Sequence, residues 1–589
     1  MLKRVTTLLA VAAIVASACG GSSSKSAAPT ASPTPPPTGT PTPAPTPRPL
    51  ILGEWQEPSS VWYGMYDNSA TDVEAFGISL WSLWNANDKY QTYGQLATNV
   101  PTTTNGGVKI IGSGATAKMD VTINLIPGAQ WSDGQPITCQ DVADEVTWMM
   151  DPGQVGNLQG TLGWELITSV DGGTGTNCVA HFSKLYEAYL GLWTPLLPSH
   201  YLKTSSVADA NKNLYKQTDL TKGVYSGPYI PTTWASGAQI NYVPNQAFWS
   251  TIKKKTAPYS SVIFKYYTDA TAMKADFKNG GLDVAMDLNH NDLSSLSGIP
   301  TAEVNAIDGT TYEQNSWNMA HLTSKFGAAG AKALMDALHY AYNKDDIAQR
   351  ITGGTVTTTC NLFSPLNYWY KNIPCYKFDV AKANSILTAA GFSAKGSDGF
   401  RKAPNGAKLQ IDACTSAGRT YRVDTLNLLK TQLAAIGVDV TVHPVPSTNG
   451  GMFPGWNDAP ADQPCNITHG NFDMAEFAWV VGVDPLGNYQ TYYSTYDPSL
   501  GDHSGNNVTR TNIKAIDNAL NTGLNSVDPA AIKAAMGTFQ DIYVEPANAF
   551  PEIPLYYWKT VVLVSPTVHG LLNNATSATN TWNIEDWTR

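Results

Sequence analysis

VTINLIPGAQWSDGQPITCQDVADEVTWMMDP, residues 121–152, carries two periodicities one after the other. Val121, Ile123 and Leu125 alternate with Thr122 and Asn124, which puts one apolar face on a strand. Pro127-Gly128 turns the chain, and Ser132-Asp133-Gly134-Gln135-Pro136 turns it again. Thr138 stands where an N-cap hydroxyl is needed, with Asp141 three positions on as the acidic half of a capping box. Val142, Val146 and Met149 follow at helical spacing. The segment is predicted to run strand, short hairpin, helix, with Trp131 as the apolar plug that fixes hairpin to helix.

The run Trp131-Ser132-Asp133-Gly134-Gln135-Pro136-Ile137-Thr138, with Asp141-Val142 after it, resembles the signature of extracytoplasmic solute-binding proteins of the peptide/nickel (oligopeptide-binding) ABC-importer family. Its chemistry is bland. A turn-forming Asp133 and a capping Asp141 need no catalytic reading, so the run marks a fold and takes no ligand role. Other landmarks of the same resemblance follow in order. Glu57-Pro58-Ser59-Ser60, with Val61 and Tyr63 beyond it, resembles the family loop that borders the ligand cleft. Leu196, Pro198, His200 and Tyr201 resemble a return crossing, and Tyr225-Ser226-Gly227-Pro228-Tyr229-Ile230 a strand entry. Asn245-Gln246-Ala247-Phe248-Trp249 and Gly280-Gly281-Leu282-Asp283 match later steps, and residues 472–479 and 553–558 resemble strands that lead to the hinge. The resemblance covers the chain from about Ile51 to its end. It implies an α/β, two-lobed periplasmic-binding-protein type II fold with an extra subdomain on the N-terminal lobe and a hinged ligand cleft. On that reading residues 50–85, 199–310 and 560–589 form lobe I, 86–198 the extra subdomain and 311–559 lobe II.

Periodicity fills in the elements. Strands are expected at residues 51–55 and 262–267, and helices at 75–84 and 271–279. Leu334, Leu338, Ala341, Tyr342 and Ile347 predict one amphipathic helix over 331–351, ended by Gly353-Gly354. Asp379 caps a helix over 380–390 that Gly391 stops. A strand at 408–414, a helix at 422–436 and a strand at 438–442 imply a parallel pair with a right-handed crossover.

A chain of 589 residues exceeds one hydrophobic core and implies two or three domains. Charged residues are 14% and the net charge is -10, so no basic surface is offered to phosphates and nucleic acid is excluded as a partner. The 17 Trp and 28 Tyr suit a pocket that holds a varied ligand by stacking and apolar contact. At the N-terminus, Lys3-Arg4 precede an apolar run that ends in Ala16-Ser17-Ala18-Cys19-Gly20. This resembles a lipoprotein signal peptide (residues 1–19), with Ala16 in place of the usual Leu and Cys19 as the lipid-modified residue. The run is too short to span a bilayer. Residues 20–49, rich in Pro, Thr and Ser, form an extended stalk. Together they imply a body tethered by lipid to the outer face of the bacterial cytoplasmic membrane. Of seven cysteines, Cys19 leaves six: Cys139, Cys178, Cys360, Cys375, Cys414 and Cys465. Outside the cytoplasm an even set implies three disulfides, and pairing neighbours gives Cys139–Cys178, Cys360–Cys375 and Cys414–Cys465 among fifteen possible pairings.

Ligand residues come from the resemblance alone. In the oligopeptide-binding branch a Trp on the strand matching residues 472–479 lines the pocket, and the Asp three residues later pairs with the peptide α-amino group. Here the Trp is Trp479, followed by Val480, and Gly482 stands at the Asp position. A buried ammonium without a carboxylate is costly, which leaves Asp484 either as a substitute or as part of an Asp-Pro turn. Trp558 falls where relatives place a second pocket aromatic, and with Trp479 it is expected to form a π-faced floor. Trp479, Val480, Gly482, Asp484 and Trp558 are thus the expected ligand-binding residues.

Enzyme signatures are missing: no G-x-S-x-G elbow, no Gly-Lys of a P-loop, and no close His pair, His321 and His339 being the nearest two. No metal or cofactor is expected. The resulting reading is a monomeric substrate-binding subunit of an ABC importer, serving permease and ATPase subunits. Its ligand is a short peptide; the alternatives are an oligosaccharide, and, from other classes, a secreted hydrolase or a sensory receptor.

Overall fold

The computed structural model describes residues 48–58, 70–154, 161–204, 220, 223–296, 299, 302–447, 450–457, 459–484, 489–501, 503, 505–545, 548, 550–576 and 579–589. The leader with Cys19, the stalk up to residue 47, and Ser59, Ser60, Val61 and Tyr63 of the cleft loop lie outside the described residues.

β1 (Leu50–Glu54) opens the body and is followed by a helix, Ala70–Gly77. β2 (Trp84–Ala86) and β3 (Thr92–Gly94) pair as a small hairpin. The helix expected over residues 75–84 therefore ends at Gly77. Its next carbonyls are needed elsewhere: Ser79 O accepts the N–H groups of Ser226 and Gly227 at 3.0 and 2.7 Å, and Ile78 O accepts that of Tyr229 at 3.0 Å. At Gly227 an added Cβ would lie 2.6 Å from Ile78 O, so the approach demands glycine.

The signature stretch folds as its periodicities dictate. β4 (Val108–Ile111), β5 (Lys118–Asn124), β6 (Ile167–Asp171) and β7 (Asn177–Phe182) form an antiparallel sheet in the order β4-β5-β7-β6. Val121 and Ile123 are buried from β5, and Trp131 is fully buried beneath the hairpin. The helix Cys139–Met149 starts with the predicted capping box: the Asp141 carboxylate accepts the Thr138 N–H at 2.8 Å. Its other oxygen accepts the Ser199 N–H at 2.8 Å and so ties down the return crossing. Asp133 accepts the Gln135 N–H at 3.0 Å as a turn residue. Neither carboxylate is left over for a ligand.

Ten strands make the main sheet. β8 (Tyr229–Ala235), β9 (Gln239–Pro244), β10 (Val262–Tyr266) and β11 (Val284–Asn289) belong to the first half of the chain. β12 (Glu303–Trp317), β13 (Gln410–Ser416), β14 (Asp439–Val445), β15 (Met474–Val480) and β16 (Glu552–Val564) complete it. The order is β14-β13-β15-β12-β16-β11-β1-β10-β9-β8. β1 runs parallel to β10 and β11, and β13 parallel to β14 and β15, while the long central strands β12 and β16 are antiparallel to each other. Two parallel α/β halves joined by two long strands are the frame of a type II binding protein. The helix Thr420–Ala434 makes the predicted crossover between β13 and β14, its Leu426, Leu429 and Leu433 fully buried.

The single helix expected over 331–351 is two, Met319–Ala341 and Lys344–Thr352. Tyr342 leaves the helical region, and the Asn343 side chain caps the second helix by accepting the Asp346 N–H at 3.1 Å. The apolar spacing spans the break because both helices bury the same side. The disulfides Cys139–Cys178, Cys360–Cys375 and Cys414–Cys465 are all present. Among the described residues no helix is long and apolar enough to cross a membrane.

Candidate ligand site

Register across the central strands decides which side chains share a face. Tyr312 on β12 pairs with Trp479 on β15 and with Tyr557 on β16, so these three point the same way. Thr311 pairs with Val480, and Glu313 with Ala478 and Tyr556, on the opposite face. Trp558, next to Tyr557, is on that second face and its indole N–H donates to Glu313 Oε2 at 3.0 Å. The expected floor of Trp479 and Trp558 is not formed. A strand alternates sides at every residue, and the register puts the two indoles on opposite sides of the sheet.

The Trp479 face carries a set of aromatic side chains in mutual contact. Trp479 packs edge-on against Phe477, ring centres 5.2 Å apart. Tyr312 and Tyr492 share a hydroxyl hydrogen bond of 2.8 Å, and the Tyr312 hydroxyl also contacts Glu552 Oε1 at 3.1 Å. The Tyr557 hydroxyl donates to the Asn361 carbonyl at 2.8 Å.

The other face meets the first half of the chain. Three residues past the carboxyl end of β13, the helix Thr420–Ala434 begins and presents Arg419, Tyr421 and Arg422. Arg422 is buried and forks onto Glu313, with Nε to Oε1 at 2.7 Å and Nη2 to Oε2 at 3.2 Å. Burial works against its charge, but the Glu313 carboxylate raises the guanidinium pKa overall. Glu476, buried beside this pair, has its pKa pushed well up by burial and then by the charge of Glu313.

Arg419 is different. Its guanidinium carbon lies 4.6 Å from the ring centre of Trp55, just past the carboxyl end of β1, and 5.3 Å from that of Trp558. Its backbone N–H donates to the Ser416 carbonyl at 3.2 Å, but among the described residues its guanidinium donates no hydrogen bond. Trp55 in turn is fixed by an indole N–H bond of 3.0 Å to the Asp287 carbonyl. Asp287 has a φ of 50° where the β11–β16 register shifts, and burial raises its carboxyl pKa to about 6 against the pull of Arg419. His290 is 1% exposed with neither ring nitrogen hydrogen-bonded. Tyr556, Trp558 and Tyr421 surround its ring at 5.2, 5.8 and 6.4 Å. Burial, then Lys559 and Arg419, lower its pKa to about 3, so it is a neutral ring at physiological pH. The carboxyl ends of β1 and β13 thus converge here, the position where open α/β sheets take ligands.

The remaining expected residues lie at the end of β15. Val480 shares the Trp558 face and is 42% exposed. The Gly482 carbonyl accepts a bond of 3.2 Å from Asn367 Nδ2, and a Cβ there would have its nearest neighbour at 3.6 Å. Asp484 adjoins Glu187 of the turn Glu187–Gly191, whose pKa is raised well up by burial and then by Asp484. So Trp558 lies beside Arg419, Val480 shares its face of the sheet, Asp484 joins Glu187, and Trp479 is on the opposite face. Reading the sequence missed Arg419, Trp55 and His290; the usable signal was their place just beyond parallel strands. Among the described residues no group of three or more His, Cys, Asp or Glu is arranged to hold a metal.

Comparison with known proteins bears on the family and the fold. The sequence profile of bacterial extracellular solute-binding proteins, family 5 Middle, matches residues 115–499. The oligopeptide-binding protein OppA of Lactococcus lactis subsp. cremoris (strain SK11) is 22% identical over 493 residues, covering 76% of this chain and 78% of that protein. NikZ from Campylobacter jejuni in complex with Ni(L-His) superposes with a TM-score of 0.74 at 20% identity, over 92% of this chain and 99% of that one. The oligopeptide-binding protein AppA from Bacillus subtilis, in complex with a nonapeptide, gives a TM-score of 0.73 at 19% identity, over the same shares. Such relatives are substrate-binding proteins of ABC transporters and not enzymes. With most of its length under the profile and its fold in common, the chain belongs to the bacterial extracellular solute-binding proteins of family 5.

Proposed function

We propose that this protein is the lipid-anchored, monomeric substrate-binding subunit of an ABC importer, capturing short peptides between two lobes and delivering them to the permease. Residues 50–85, 199–310 and 560–589 would form lobe I, 86–198 its extra subdomain and 311–559 lobe II, with Cys19 carrying the lipid. The observation that carries the peptide reading is Arg419. A guanidinium held between two indoles, one from β1 and one from β16, keeps its N–H fork for an acceptor. It also stands at the amino end of the helix Thr420–Ala434, where the backbone favours negative charge. A carboxylate fits this receptor. Every free peptide has one and a neutral oligosaccharide has none, so the site favours the peptide. Val480 and Trp558 supply apolar surface beside it, and backbone groups and water supply the sequence-independent contacts.

Gly482 leaves the α-amino end without the usual partner, and Asp484 beside Glu187 is the acidic group nearest in the chain. Mass spectrometry of what the purified protein releases on denaturation tests the class of ligand. Peptides with free carboxyl ends support the reading; neutral sugars, or a metal chelate, overturn it. Radiolabelled palmitate incorporated into the wild type and lost in Cys19→Ser checks the anchor.

A further inference from the structure

The three disulfides differ in what surrounds them. Cys139, Cys178, Cys414 and Cys465 are each no more than 3% exposed. Cys360 is also buried, at 7%, but its partner Cys375 is at the surface. Of these six cysteines, Cys375 is the exposed one. Lys344 opens the helix Lys344–Thr352 and directs its ammonium inward, to the Thr359 carbonyl at 3.0 Å and to Cys360 Sγ at 3.5 Å. Burial lowers the Lys344 pKa to about 7, against the charge of Asp345. Neither of the other bridges has a cationic side chain bonded to its sulfur among the described residues.

We propose that Cys360–Cys375 is a thiol-exchange site, opened by attack on Cys375 with Cys360 as the leaving thiolate received by Lys344. The attacking thiolate, from a small-molecule thiol or a protein dithiol, forms a new S–S bond to Cys375 Sγ. The old S–S bond breaks and its electron pair leaves on Cys360. The Lys344 proton either stays on Nζ, giving an ion pair, or moves to the Cys360 sulfur. The products are a mixed disulfide at Cys375 and one reduced sulfur at Cys360, with no further oxidant or reductant needed. Two general rules set this direction. Exchange occurs at the accessible sulfur, and it is faster when the departing thiol is made more acidic by a neighbouring cation.

The bridge closes a segment that buttresses the ligand site. Within it, Asn361 O accepts the Tyr557 hydroxyl at 2.8 Å and Asn367 Nδ2 donates to the Gly482 carbonyl at 3.2 Å. A modification at Cys375 thus sits at the end of the segment that braces the β15 turn.

The test is to expose the folded full-length protein to graded glutathione, quench with acid and an alkylating agent, and map every cysteine by mass spectrometry. The expected result is glutathione on Cys375 and alkylator on Cys360 at concentrations that leave the other two bridges intact. Lys344→Met should slow this exchange at least tenfold. Glutathione found on Cys360, or all three bridges opening together, overturns the proposal. So does an unchanged rate in Lys344→Met, and the wild-type map stands on its own if that variant does not fold.

Discussion

The two faces of the β15-β12-β16 ribbon carry similar side chains and put them to different use. On the Trp479 face, the Tyr312 hydroxyl bonds Tyr492 and Glu552, the Tyr557 hydroxyl bonds the Asn361 carbonyl, and Phe477 packs on Trp479, whose indole N–H has no hydrogen-bond partner among the described residues. On the Trp558 face, aromatic rings surround groups with unused hydrogen-bonding capacity: the Arg419 guanidinium and both nitrogens of His290. Aromatic content therefore does not locate a binding site. A cationic side chain fixed between rings from two halves of the chain is the more selective mark, because a buried charge is ordinarily paired.

The comparison can be broken at several points. The largest effect is expected at Arg422, which holds Glu313 in a buried ion pair on the binding face. Arg422→Met leaves Glu313 and Glu476 uncompensated and should cost about 3–5 kcal/mol in denaturant unfolding. A loss below about 1 kcal/mol would show that the pair is dispensable. On the closed face, Glu552 is fully buried and its pKa is raised by burial to about 8, from 4.5, despite the Tyr312 hydroxyl. The folded state thus binds the proton more tightly than the unfolded one. The stability it contributes is complete below pH 4.5 and is lost as pH rises towards 8, at about 1.4 kcal/mol per unit. Glu552→Gln should flatten the fall in unfolding free energy between pH 5 and pH 8 (roughly the window set by the two states); an unchanged slope would assign the effect to other carboxyls whose pKa burial raises, among them Glu54, Glu74 and Asp287.

Next comes the contrast between the two faces themselves. Trp479→Ala should remove about 3 kcal/mol of stability through lost packing, with ligand affinity changed less than about twofold. Arg419→Ala should do the reverse, weakening binding of a carboxylate ligand by roughly 10- to 100-fold while stability moves by less than about 1 kcal/mol. Calorimetric titration of both variants with one peptide, and with its C-terminal amide, decides this; equal affinity for acid and amide in the wild type removes Arg419 from the site. The smallest effect is a gain. Position 482 has room for a side chain, its nearest neighbour being 3.6 Å from a Cβ, so Gly482→Asp should improve binding of peptides with a free amino end by about tenfold. N-acetylated peptides serve as the control, and an equal gain for them would refute an ammonium contact.

The fold was legible because its signals are local. The alternation at Val121 and Ile123, the Thr138–Asp141 cap and the strand–helix–strand at β13 and β14 each depend on neighbours in sequence. The helix ends at Gly77 and Ala341 were not legible in full, because what stops them is tertiary: carbonyls claimed by Ser226, Gly227 and Tyr229, and a new cap at Asn343. The site was legible only in part. Resemblance named Trp479, Val480 and Trp558 together, but their facing depends on register with Tyr312, which no single strand encodes. Arg419, Trp55 and His290 come from three distant segments and meet only when the sheet forms.

The long central pair has a consequence for how the chain comes together in time. β11 and β12 both wait for β16, which is far along the chain from either, and Arg589 bonds Asp283 and the Pro49 carbonyl beside the first strand. Until β16 emerges, the earlier strands have an open edge and no way to finish the sheet. Folding that depends on such distant pairings is slow, and the unfinished edge is a place for chains to stick to each other.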